Sequence, residues 1–233
     1  MSTRTTAGST RLGLTFRSIL LRPDQGFEAA LTIADERASD GLSPDEGYAP
    51  SVLTALGGAA LMATWLKVGG LAGAREISRG DFSWINLGVA LALGGVLAVI
   101  AMFLWGRIGP ATFRSLHATT SRRDLRIVWG GAWLPQVLGM FILLPLDLLI
   151  IGPETFSTDR LADPLSTAWA AFSIAVSVAL VVWSLYLFVK GSEAAAETRA
   201  LRSIAGLVVG ALCLVAMVAG FVVGAVALSR TLA

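Results

Sequence analysis

The chain has 233 residues, of which 55% are hydrophobic and only 15% charged. Soluble domains carry about 25% charged residues, so the composition excludes an ordinary water-soluble globule. A formal net charge of +2 gives no nucleic-acid footprint, and the single cysteine, Cys213, can close no intramolecular disulfide and lacks the companions a metal site needs.

Residues 1–13 are rich in Ser, Thr and Arg and read as a disordered tail. Residues 14–49 read as a cytoplasmic or interfacial segment built on an amphipathic helix. Pro23 suits its first turn, and Asp24 and Glu28 favour the positive end of its dipole. Phe27, Leu31, Ala34 and Ala38 share one face. That face lies either in the membrane interface or on the cytosolic loops of the same protein. Gly41, Pro44, Gly47 and Pro50 break the helix before the membrane domain, residues 50–233.

Five apolar runs follow, at about 50–71, 84–105, 127–151, 165–189 and 203–229. A bilayer core of about 30 Å needs about 20 apolar residues as helix. Lipid satisfies no backbone group, so each run must be helical. The expected fold class is all-α: a polytopic membrane bundle of five transmembrane helices with an N-terminal amphipathic helix. The first run reaches full length only by passing Lys67, whose amine is expected to snorkel to the interface. That run starts some fifty residues in, too late for a cleaved signal. It is expected to serve as a retained insertion signal.

Five spans put the termini on opposite sides. With the N-terminus inside, thirteen Lys and Arg fall in cytoplasmic segments and five outside. The excess favours N-in, C-out. Arginine outnumbers lysine sixteen to two. With abundant Ala, Gly and Val, this bias suggests a GC-rich bacterial source and hence a plasma-membrane location.

The first outer loop holds Arg79-Gly80-Asp81, too short to mean adhesion, and the second is acidic through Glu154, Asp159 and Asp163. The fourth loop, 190–202, reads as a short helical connection.

Asp147, in the third run, is an intramembrane carboxylate and so a candidate functional residue. Pro135 and Pro145 can kink that run, and Gln136 lies eleven residues before Asp147 on nearly the same face. The two could line a polar seam. Alternatively, Asp147 lies about 6 Å from the span's outer end and reaches the outer headgroups, which is the simpler expectation. In the last run Gly206, Gly210, Gly220 and Gly224 fall on one face as two small-xxx-small pairs. They are expected to pack against another helix of the bundle or a partner. Gly88, Ala92 and Gly95 offer a similar stripe in the second run.

No phosphate-binding loop, zinc box or cysteine cluster occurs. His117 sits near Thr119, Thr120 and Ser121, a setting in which a loop histidine is usually just solvated. No catalytic residue, metal or cofactor is expected.

Several local patterns carry a family likeness. Leu21-Arg22-Pro23 with Phe27 precedes the spans, and Gly109-Pro110-Ala111-Thr112-Phe113 follows the second. Trp133-Leu134-Pro135 with Leu138-Gly139 marks the third. Val182-Trp183-Ser184-Leu185 through Gly191, then Arg199-Ala200, mark the fourth. In that order they resemble the Yip family, membrane proteins first linked to Rab-type GTPases, in its prokaryotic branch. The resemblance implies five spans, a cytosolic N-terminus and no catalytic residues. It implies a non-enzymatic accessory or scaffold protein that binds membrane lipids and another integral membrane protein, an ABC-type exporter being one such partner, or forms a homo-oligomer. The long acidic N-terminal region of eukaryotic members is missing, so GTPase binding does not carry over. The alternative from the residues alone is a small transporter, channel or lipid-translocating protein using the Gln136–Asp147 seam.

Overall fold

A computed structural model describes residues 15–41, 50–71, 84–152, 155, 163–199 and 201–209. Among them every regular element is helical. We number a short helix at 15–21 as α1, then α2 (Pro23–Ser39), α3 (Pro50–Leu71), α4 (Trp84–Ser115), α5 (Arg122–Ala132), α6 (Leu134–Ile150) and α7 (Pro164–Ala196). The described part of a last helix, α8, covers 201–209.

Local chemistry sets these boundaries. Ser121 caps α5 by accepting the Asp124 amide at 3.0 Å, and Asp163 caps α7 by accepting the Ser166 amide at 3.1 Å. Pro164 follows at the first helical position of α7, where a missing N–H costs nothing. The third apolar run is not one helix. It divides at Trp133, because Pro135 removes an amide that an unbroken helix would need. Pro145, deeper in α6, does not stop the helix.

Among the described residues four segments are long and apolar enough to cross a membrane: Pro50–Val68, Leu87–Ser115, Arg122–Ile150 and Pro164–Ala196. Of the expected fifth span, 203–209 is helical and the remainder lies outside the described residues. So do Gly210, Gly220 and Gly224, the 1–13 tail and the Arg79-Gly80-Asp81 loop.

Two helices overrun their expected ends. α4 continues ten residues past Trp105, and α7 runs on to Ala196. Packing explains both. Phe113 at the end of α4 is fully buried against Trp105, Leu125 and Ala196. Leu187 and Ala196 on α7 are likewise buried. The second and fourth loops therefore shrink, and most of their expected residues become helix.

The face of α2 that carries Phe27 turns onto the protein. Phe27 is fully buried with Ile19, Ile127, Val128 and Leu187, and Leu31 packs at the edge of that cluster. Ion pairs tie the polar side of α2 to the same neighbours, Asp35 to Arg123 and Asp24 to Lys190 at 3.3 Å.

α3 and α4 meet through glycine. A Cβ added at Gly58 would stand 2.5 Å from the Gly94 carbonyl oxygen, and one at Gly94 would stand 2.7 Å from the Gly58 carbonyl oxygen. The backbones touch here, as small residues allow in lipid. Gly95 shares this contact, whereas Gly88 faces open space and takes no part.

Candidate polar centre between three helices

Lys67 does not snorkel. Its side chain is 5% exposed, and its amine lies 2.8 Å from Asp147 Oδ2. The same amine donates to Ser173 Oγ at 2.6 Å and Ser177 Oγ at 3.2 Å. Asp147 is equally enclosed, at 2% exposed, and its Oδ1 accepts the Trp169 indole N–H at 3.0 Å. The expectation that Asp147 reaches the outer headgroups is therefore overturned. One partner, Lys67, comes from α3 and the other, Trp169, from α7, and the carboxylate turns into the bundle.

Helical spacing builds the centre. Trp169, Ser173 and Ser177 recur every four residues and so share one face of α7. Ser177 also donates back to the Ser173 carbonyl at 2.7 Å, which fixes its rotamer. Thr155 donates to the Asp147 carbonyl at 3.3 Å and to the Gly152 carbonyl at 2.8 Å, closing the end of α6.

Gln136 and Asp147 border one cavity of about 30 Å³, together with Lys67, Thr64 and Ser177. The structure thus places the two predicted polar residues of α6 around the same space. They do not bond each other. Gln136 is 3% exposed, and its amide nitrogen has no partner. A water needs about 10–15 Å³ and two to four polar contacts, so the cavity suits one or two waters between Gln136 and the ion pair.

The arrangement constrains chemistry. A serine–lysine nucleophile pair needs an amine lone pair to take the serine proton. Lys67 Nζ lies within hydrogen-bond distance of Asp147, Ser173 and Ser177 together. Among the described residues no group of three His, Cys, Asp or Glu could hold a metal ion. His117 sits in the turn after α4 with φ +59°, and the Ser121 hydroxyl is committed as a helix cap. Gly206, the described member of the C-terminal glycine stripe, is buried against Phe113: a Cβ there would stand 3.0 Å from the ring.

Lys67, Trp169, Ser173 and Ser177 were not singled out from sequence as parts of this centre. The available signal was a polar residue every fourth position in an otherwise apolar helix. No protein-family model, curated protein or solved structure matches the chain. The fold and its four apolar segments are compatible with a multi-pass membrane protein.

Proposed function

We propose that this chain is a non-enzymatic, multi-pass accessory or scaffold protein of the Yip type in a bacterial plasma membrane. In this reading it has five spans, its N-terminus is cytoplasmic, and it binds another integral membrane protein. The observation that carries the reading is the saturation of the polar centre. Lys67 has no spare donor and both Asp147 oxygens are occupied. A transport seam needs charged groups that can release one partner for a substrate, whereas a closed network fixes helices against each other. The charge excess, thirteen Lys and Arg against five, supports the orientation. Lys67, counted among the five, is buried, which sharpens the asymmetry.

One observation favours a second reading, a small transporter, channel or lipid-translocating protein. The unpartnered Gln136 amide beside the central cavity is a polar group that a passing substrate could engage. Purification of the full chain in mild detergent separates the two. A stoichiometric co-purifying membrane protein supports the accessory role. A homogeneous oligomer that carries flux in liposomes, with flux lost in Gln136→Leu, replaces it with the transporter.

A further inference from the structure

Where α4 turns back into α5, three arginines gather on one edge of the bundle. The two helices touch through Gly106: a Cβ there would stand 3.3 Å from Arg126 Cγ and 3.6 Å from the Arg122 carbonyl oxygen. Arg126 Nε donates to that same carbonyl at 3.4 Å, and its guanidinium lies over the Phe103 ring, 5.4 Å from the centroid. Arg107 follows Phe103 by four residues, so the two share one face of α4. Arg122 and Arg126 share one face of α5 in the same way. The stacked Arg126 side chain joins the two faces, and Arg107 and Arg122 are both exposed.

This edge is short of negative charge. Among the described residues none of the three arginines forms an ion pair. Asp124, which lies between Arg122 and Arg126 in sequence, turns to Arg123 at 3.4 Å. Like charges on one edge repel, and the guanidinium fork matches a phosphate. The complement of the patch is therefore an anion. What lies below it narrows the anion to a lipid. Phe103, Ile100, Val96 and Leu93 recur at helical spacing along one side of α4, and all four are exposed. The arginines stand at the end of this apolar track, with Arg107 one turn beyond Phe103. A soluble phosphate or an acidic peptide would meet the charges and leave the track unused, whereas a phospholipid meets both.

We propose that the edge formed by Arg107, Arg122 and Arg126 binds the headgroup of an anionic phospholipid, with one acyl chain along Phe103 and Ile100. The proposal rests on the membrane placement of α4 and α5 and not on the accessory role, so it survives if no partner protein is found.

The test is native mass spectrometry of the full chain from mild detergent. The probes are phosphatidylglycerol and phosphatidylcholine with identical acyl chains, which share a phosphate and differ in net charge. Phosphatidylglycerol should be retained about tenfold better, because each arginine at a membrane surface favours an anionic lipid several-fold. Arg107→Gln with Arg122→Gln should bring the two lipids near parity while thermal melting and helix content stay unchanged, since both side chains are exposed and unpaired among the described residues. Arg199→Gln with Arg202→Gln removes the same charge beside α8, outside the patch, and should leave the preference intact. Equal retention of the two lipids by the unaltered chain would overturn the proposal. An equal fall in both double variants would reduce the preference to overall charge and overturn it as well. Displacement of the lipid by equimolar glycerol phosphate or by a glutamate-rich peptide would make the ligand a soluble anion, and this too would overturn it.

Discussion

Breaking the Lys67–Asp147 pair one side at a time tests whether the polar centre is a structural lock. Asp147 accepts two hydrogen bonds and Lys67 donates three. Hydrogen bonds to charged groups each contribute about 1.5–3 kcal/mol net. Removing one member of a buried pair leaves an uncompensated charge and costs about 3–5 kcal/mol. Asp147→Leu leaves the ammonium with Ser173 and Ser177, so it should fall in the lower half of that range. Lys67→Met leaves the carboxylate with the Trp169 N–H as its remaining described partner, so it should fall in the upper half. The double variant Lys67→Met/Asp147→Leu carries no stranded charge and should lie within about 1 kcal/mol of the wild type, as buried pairs exchanged for apolar side chains often do.

The assay is reversible unfolding by SDS in mixed micelles, followed by helix content and tryptophan fluorescence and analysed as a double-mutant cycle. At about 1.4 kcal/mol per tenfold, each single change should shift the folding constant by roughly two to four powers of ten. Two single variants that each cost under about 1 kcal/mol and add in the double would refute a buried, mutually dependent pair.

Other sites give sharper contrasts. Gly58→Leu or Gly94→Leu should prevent assembly of the α3–α4 contact, since each new Cβ meets a backbone carbonyl; normal yield and melting would exclude the close approach. Gly206→Leu should destabilise the packing on Phe113, while Val208→Leu, at a site 53% exposed, should be neutral in the same melt. Phe27→Ala should cost about 3–5 kcal/mol as a buried aromatic truncation. Arg123→Gln, which removes the half-exposed pair with Asp35, should cost under about 1 kcal/mol; chemical unfolding in detergent that ranks the two oppositely would place α2 away from the bundle.

Much of the fold is legible in composition because the membrane removes alternatives. Apolar runs of spanning length can only be helices, and four membrane-capable helical segments are found where four of the runs were expected. Their ends were harder to read. Hydropathy marks where a helix leaves lipid but not where it stops, and Phe113 and Ala196 extend α4 and α7 by burying against each other outside the apolar runs. The polar centre was half legible. Asp147 and Gln136 stand out because each interrupts an apolar helix. Lys67 does not, because it sits at the end of its run and separated from Asp147 by 80 positions. Ser173 and Ser177 are ordinary in a membrane helix until a charged partner is known. The α3–α4 contact was legible only in part: of the expected stripe Gly95 packs on Ala55, whereas Gly88 faces open space. Gly88 and Gly94 are both small, and only the facing Gly58 decides which one packs.

The sequence expectation that Lys67 snorkels and the observed buried pair can describe successive states of one residue. α3 is made before α6, so Lys67 must enter the membrane with no carboxylate to meet it. A lysine at the centre of a span costs about 2.5–3.5 kcal/mol to insert, and less near the interface. Lys67 lies four residues from the end of α3, about 6 Å, within reach of its own aliphatic stem. Insertion as a snorkelling lysine is therefore tolerable, and the later arrival of Asp147, Ser173 and Ser177 draws the amine inward. A chain truncated after Ser121 keeps Lys67 as its sole lysine, because Lys190 is removed. Its amine should react with an impermeant acylating reagent applied to the outer face of inverted or right-side-out vesicles, whichever exposes that end. In the full chain Lys67 should resist the same reagent. Equal reactivity in the two would mean that the amine never leaves the interface, and the lock between α3, α6 and α7 would lose its central member.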